Sequence, residues 1–297
     1  RRGTPAVGAV TMADRDPAGA VAQAERLAER FGFPFWACSS VGPPGVAALR
    51  QRIIAAAPVD PSEVPLLADL IAPGDLVVLV VHLDAGAPKG RLILPQVQAI
   101  REALDAGAVA VTVREPDLAG ALRALGRRPA LVVTDSQVFG PVSKVVPSEI
   151  PLTSFSILMA RHKGDLAELV RGARAIDKLR PGDRVLIAET CTHHQQKDDI
   201  GTVKIPRWLQ ERVGGKLQFE WAHGREMPAD LEAYRLIVHC GGCMANRRLM
   251  LSRIRRAQAA GVPIVNYGVC IAHLHGILPR ALTPFPELGE LMGGSAG

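Results

Sequence analysis

At 297 residues, with 48% apolar and 22% charged side chains, the chain can bury a large core, and its length suits two or three domains. The net charge of +6 suits an acidic partner, but no basic stripe interleaves with aromatics, so nothing indicates nucleic acid. The longest apolar run, Leu76 to Val81, falls far short of the roughly 20 residues of a membrane span; no signal peptide is visible, and five cysteines, an odd count with three clustered, favour a reducing, cytoplasmic compartment and a metal over a disulfide framework.

A chain that opens on Arg1 rather than Met is expected to be a piece of a longer protein. Residues 1–60 predict a strand from Val7 to Met12, a helix from Pro17 to Arg30, a short strand from Pro34 to Cys38, and a helix after Gly45 that ends near Ala57. This βαβα layout resembles the last third of a small GTPase domain. In that reading Ser39-Ser40 marks the loop near the guanine and Val46 to Ile54 the closing helix. Ala13-Asp14-Arg15-Asp16 then falls where such domains carry Asn-Lys-x-Asp, and only Asp16 of the three defining residues is present. No Gly-x-x-x-x-Gly-Lys-Ser/Thr phosphate loop occurs in the chain, which counts against GTP binding or hydrolysis by this chain.

Pro58, Pro61 and Pro65 mark a linker. In residues 61–150, Leu76 to Val81 is apolar throughout, as a strand covered on both faces would be. A polar loop, His82 to Arg91, follows. A helix then runs from Pro95 to Ala106, a strand from Val109 to Val113, a helix capped by Asp117 to Leu125, a strand from Ala130 to Thr134 and a segment from Val138 to Val146. An apolar strand with few elements to cover it predicts a dimer made through this unit. Pro147 and Pro151 open the third unit, 151–297. There Thr153 to Arg161, Asp165 to Leu179, Lys204 to Arg212 and Ala245 to Ala260 read as helices. Arg184 to Ala188, Leu217 to Trp221, Arg235 to Val238 and Val262 to Val265 read as strands. Alternation of strands and helices makes the fold α/β: a partial GTPase-like piece followed by two parallel-sheet α/β domains. No internal sequence repeat is visible, and Gly293 to Gly297 reads as a frayed tail.

The candidate chemistry sits in Cys191-Thr192-His193 and, 45 residues after His193, in His239-Cys240-Gly241-Gly242-Cys243. Cys191 falls just past one predicted strand and His239-Cys240 at the end of another, where ligands gather in an open parallel sheet. Thiolate and imidazole donors select zinc, iron–sulfur clusters or copper over magnesium and calcium. From spacing alone a structural zinc site ranks first and an iron–sulfur cluster second, with a redox Cys240/Cys243 pair behind them. Five donors exceed the four positions of a closed zinc site. The helix expected from Ala245 places its dipole near Cys243 and predicts a lowered thiol pKa.

These motifs, in this order, resemble the HydF family, the maturation scaffolds of FeFe-hydrogenase. The likeness extends through Ala87-Pro88-Lys89-Gly90-Arg91, Thr134-Asp135-Ser136-Gln137, Thr153-Ser154-Phe155-Ser156, Lys197-Asp198-Asp199-Ile200-Gly201, Ile205-Pro206-Arg207-Trp208 and Asn266-Tyr267-Gly268-Val269. The resemblance implies that 1–60 is the C-terminal remnant of a GTPase domain, 61–150 a dimerisation domain and 151–297 an iron–sulfur cluster-binding domain. It implies a 4Fe–4S cluster on Cys191, Cys240 and Cys243, with Asp84 as the non-cysteine ligand and His193 and His239 as alternative or outer ligands. It further implies transient carriage of a two-iron subcluster precursor. The implied partners are a second copy of the chain, apo FeFe-hydrogenase and the radical SAM maturation enzymes of the same pathway. The competing reading is a nucleotide hydrolase fragment with structural zinc, against which the missing phosphate loop weighs.

Cys38 and Cys270 read as buried small apolar side chains, and His82, His162, His223, His273 and His275 as surface or satisfied core histidines. Asp198 and Asp199 read as caps. Arg247, Arg248, Arg253, Arg255 and Arg256 crowd one helix, which predicts a solvated face or a docking patch for an acidic partner.

Overall fold

The structure, a computed structural model, describes residues 6–56, 64–83, 90–190, 199–224, 226–289 and 291. The chain forms two compact units, residues 1–63 and 64–297. In the first, β1 (Gly8–Val10) and β2 (Phe35–Ala37) pair in parallel across helix α1 (Pro17–Phe31), and α2 (Val46–Ala56) follows. Asp16 caps α1: its carboxylate accepts from Gly19 N at 2.9 Å, with Pro17 in the first turn, while Gly32 closes the helix at φ 72°. The one residue kept from the guanine motif therefore has a complete local role. Asp14 accepts a hydrogen bond from the Ser39 hydroxyl, tying the two loops at the strands' carboxyl ends.

In the second unit, β3 (Leu76–Val81), α3 (Leu94–Asp105), β4 (Val109–Arg114), α4 (Leu118–Ala124), β5 (Leu131–Thr134), α5 (Phe139–Val145) and β6 (Leu152–Ser154) build a first sheet in the order β4-β3-β5-β6. All its pairs are parallel, and Val78 lies between Val111 and Val132. Every residue of β3 is buried, which is why its sequence is apolar without alternation. Strand β6 lies where the sequence predicts a helix from Thr153. Leu152 and Thr153 are buried in the sheet, and Ser154 ends the strand and caps the next helix, accepting from Ile157 N. Asp117 does not cap α4; its carboxylate faces Arg114 at 2.9 Å instead, an ion pair one turn back.

Helices α6 (Phe155–Lys163) and α7 (Leu166–Ala173) lead to a second sheet, made of β7 (Arg184–Glu189), β8 (Gln218–His223), β9 (Leu236–His239) and β10 (Ile264–Asn266). Helices α8 (Ile205–Val213) and α9 (Arg247–Ala259) lie between its strands. Helices α10 (Tyr267–Leu274), α11 (Leu278–Ala281) and α12 (Pro286–Gly289) complete the described residues. The second sheet is also wholly parallel, in the order β10-β9-β7-β8. Read from the strand formed second, each sheet runs second, first, third, fourth. The sequence shows no repeat, yet the winding is repeated. In each sheet the order reverses between the first and third strands, the place where an open α/β sheet leaves a crevice at its carboxyl edge.

Candidate metal centre

The crevice of the second sheet lies beyond the carboxyl ends of β7 and β9. The ladder between them continues one residue past β9, with Cys240 N donating to Ala188 O at 2.9 Å. The chain then turns. Gly242 holds φ 63°, and a Cβ there would lie 2.7 Å from the Met250 sulfur, so both its conformation and its surroundings require glycine. Ala245 N donates to Gly242 O at 2.9 Å, closing the turn. Helix α9 starts at Arg247, capped by Asn246, later than the sequence predicts. Cys243 therefore sits in the loop rather than at the helix's first turn. Its thiol pKa is raised rather than lowered: burial is the main cause, the neighbouring Cys240 adds to it, and Lys163 opposes it.

Two cations flank this loop. Lys163, the last residue of α6, donates from Nζ to the carbonyl oxygens of Cys243 at 2.7 Å, Ala245 at 2.8 Å and Gly242 at 3.3 Å. Arg253, only 2% exposed, donates to His239 Nε2 at 2.6 Å and to the Gly224 carbonyl, and its Nε has no partner. A guanidinium only donates and a carbonyl only accepts. His239 is therefore neutral, with its proton on Nδ1 directed at Cys240 O, 2.7 Å away. Complete burial depresses the His239 pKa to about 4. Both ring nitrogens are engaged; acting as a metal ligand, His239 would have to release Arg253. Thr190 completes the surround, with its N 3.3 Å and its Oγ1 3.4 Å from Cys240 Sγ.

A second group of side chains sits at the end of β7. Glu189, 1% exposed, accepts from the Tyr267 hydroxyl at 2.8 Å and faces His223 Nδ1 at 3.1 Å. Desolvation and the Glu189 charge push the Tyr267 hydroxyl pKa far up. Asp199 caps the π-type turn Ile200–Lys204 by accepting from Gly201 N at 2.9 Å and Thr202 N at 2.8 Å. Gly201 is pressed against this group, since a Cβ there would lie 2.2 Å from the Tyr267 oxygen and 2.6 Å from Glu189 Oε1. Asn266 caps α10 and donates to Ser156 O of α6 at 3.1 Å. The motif residues 199–201 and 266–268 are thus the packing of the crevice wall.

Of the expected ligands, Cys240 and Cys243 share one loop, while Cys191, His193 and Asp84 lie outside the described residues, as does Asp198, expected as a cap. Among the described residues no three of His, Cys, Asp and Glu form a metal-holding group. Cys38 and Cys270 are buried as expected, and burial raises the Cys270 thiol pKa to about 12. The arginine run on α9 divides: Arg248, Arg255 and Arg256 are exposed, as a solvated face requires, whereas Arg253 and Arg247 turn to internal partners. Arg253 is internal, Arg247 donates to the carbonyls of Arg161, His162 and Gly164, and Arg256 donates to those of Met227 and Pro228. The signal was available for Arg253: Met250, Arg253, Ile254 and Ala257 follow the spacing of a buried helical stripe. Nothing local distinguishes Lys163, whose partners lie about 80 residues away.

The donor chemistry fits a bound cluster. Lys163 and Arg253 both adjoin the cysteine loop, and among the described residues neither has a carboxylate partner. Unpaired charge in a partly buried site is costly, and deprotonated thiolates with a bound anionic group would supply the missing negative charge.

Comparison with known proteins gives two family matches. Residues 66–164 match the hydrogen maturase F dimerization domain and residues 167–284 the hydrogen maturase F tetramerization domain. No curated protein matches the chain. Likeness to solved structures is slight. An o-succinylbenzoate CoA synthetase double mutant from Bacillus subtilis is 12% identical over 67% of this chain and 51% of its own, so the chain spans about half that enzyme's length, with a TM-score of 0.24. The bifunctional methylenetetrahydrofolate dehydrogenase/cyclohydrolase of Campylobacter jejuni is 10% identical over 71% and 88%, with a TM-score of 0.23. A 5,10-methylenetetrahydrofolate dehydrogenase of the silkworm Bombyx mori is 14% identical over 80% and 93%, with a TM-score of 0.22. The two domain matches take in nearly all of the second unit, and the chain belongs to the hydrogen maturase F (HydF) family.

Proposed function

We propose that the protein is a scaffold and carrier for FeFe-hydrogenase maturation, holding a 4Fe–4S cluster on Cys191, Cys240 and Cys243. In this reading it assembles the two-iron subcluster precursor and passes it to apo-hydrogenase, working with the radical SAM maturation enzymes. The observation that carries the reading is the cysteine loop flanked by two cations that have no carboxylate partner among the described residues. When bound, the cluster supplies an iron left without a thiolate, to which a second fragment can attach. The chain's own residues do the rest. Lys163 and His239 fix the loop, Arg253 supplies buried positive charge, and the Thr190 N–H lies within reach of one sulfur.

Asp84 is proposed as the exchangeable ligand on that iron. Its loop leaves the carboxyl end of β3, at the same point of the winding as Cys191 leaves β7. His82 N there donates to Asp135 at 2.7 Å, and two residues on Gln137 accepts from Lys204 at 2.8 Å, joining the edges of the two sheets. A carboxylate is a harder, weaker ligand for cluster iron than a thiolate, so an incoming fragment can displace it. Self-association is proposed through β4. The opposite edge, β6, is closed by Thr283, which accepts from Leu152 N at 3.0 Å and donates to Leu152 O at 3.2 Å.

The test is anaerobic reconstitution with iron and sulfide. The wild type should take up a 4Fe–4S cluster, and Cys191→Ser, Cys240→Ser or Cys243→Ser should each abolish its resonance signal. Asp84→Ala should keep the iron, alter the signal and bind added imidazole more readily. A colourless protein holding zinc and refusing iron would favour the structural-zinc reading and overturn this one.

A further inference from the structure

Helix α6 belongs to the segment matched by the dimerization domain, while the cysteine loop belongs to the next. Yet the two are interlocked by exchanged cations. From the end of α6, Lys163 reaches the carbonyls of Gly242, Cys243 and Ala245. From the start of α9, Arg247 reaches back to the carbonyls of Arg161, His162 and Gly164 at 3.2, 2.7 and 3.1 Å. Each cation caps backbone oxygens at the end of a helix or in a turn, where the ladder of backbone donors runs out; of these only Gly242 O also closes a turn, accepting from Ala245 N. Nearer its start, α6 meets the second sheet again: Ser156 receives Asn266, and a Cβ on Gly268 would lie 2.5 Å from the Ser156 side chain. Only glycine allows that approach, which holds α6 against the crevice at both ends.

We propose that Lys163 is a positioning residue for the cysteine loop: its ammonium gathers three loop carbonyls, fixing where the Cys240 and Cys243 sulfurs point and keeping a positive charge beside whatever they bind. The charge arm of this inference rests on the cluster reading above; the positioning arm does not. Several facts support it. Three carbonyls converging on one ammonium use all of its donors. The ammonium has no competing carboxylate among the described residues. A neutral side chain at 163 would free the loop carbonyls and withdraw the charge together. Arginine would keep the charge and the donors.

The test uses the full chain with Lys163→Met, Lys163→Gln and Lys163→Arg. In the metal-free protein, amide hydrogen exchange over residues 240–246 should be about tenfold faster in K163M than in wild type, with K163R close to wild type. Unchanged exchange in a folded K163M overturns the positioning role. After anaerobic loading with iron and sulfide, the reduction midpoint of K163M should move to more negative potential, because a nearby cation favours the more reduced, more negative cluster. K163R should restore it. An unmoved midpoint at equal iron content overturns the charge role. If K163M fails to fold, K163Q, which keeps donors but no charge, gives the midpoint reading, and Lys163→Leu, which keeps neither, gives the exchange reading. If wild type takes up no iron and sulfide, the cluster reading fails, and exchange alone still decides the positioning role.

Discussion

Gly172 shows how single residues constrain this protein. It sits in α7 where the helix crosses β10, and a Cβ there would lie 1.9 Å from the Ile264 carbonyl oxygen and 2.6 Å from its carbon. Those are backbone atoms of a buried strand, which cannot rotate away as a side chain could. Gly172→Ala should therefore destabilise the second unit by about 3 kcal/mol despite alanine's better helix propensity. Urea unfolding would measure it, and a variant as stable as wild type would show that α7 can slide. His239 and Arg253 make a similar point about polarity. Histidine beside cysteine reads as an alternative or outer ligand. The fold gives both imidazole nitrogens partners of opposite kind, one accepting and one donating.

At the scale of elements, the strands and most helices were legible because each obeys one period. Uninterrupted apolar runs such as Leu76 to Val81 mark strands buried on both faces. The reading fails where one residue serves two elements. Strand β6 is three residues long and ends on the residue that caps α6, so its pattern merges with the helix after it. For Arg253 charge and position conflict: the guanidinium argues for solvent, while the spacing from Met250 and Ala257 places it inward, and position prevails. Lys163 was illegible, since its role depends on carbonyls far along the chain. Of the expected donors, Cys240 and Cys243 do share a loop; that much of the site follows from the Cys-x-x-Cys spacing. Ser154→Ala tests the shared residue. It removes the acceptor for Ile157 N and a contact with Ser136 at 3.3 Å, and should lower stability by about 1 kcal/mol. Chemical denaturation showing no change would mean that another group caps α6.

For the whole molecule, the two edges of the first sheet differ in kind. Thr283 occupies the backbone of β6, whereas β4 presents Val109 to solvent near the exposed Leu104 of α3. An apolar, uncapped edge is a template for another strand unless something covers it. Replacing Leu104 and Val109 together by lysine should halve the molar mass found by light scattering and leave the thermal midpoint of the chain nearly unchanged. Retention of the wild-type mass would move the contact elsewhere.

The repeated winding also bears on how the chain comes into being. All pairings of the first sheet close within residues 76–154, and all those of the second within 184–266. Among the described residues no strand is borrowed across the divide, so neither ladder need wait for a distant partner, and closing each costs only the entropy of its own crossovers. During synthesis the first ladder can finish before the second has emerged from the ribosome. Helix α6 is then already made, with Lys163 at its tip, when the loop that it will hold arrives. The loop that settles onto that tip, joining the second sheet to a helix of the first segment, is the one that carries Cys240 and Cys243.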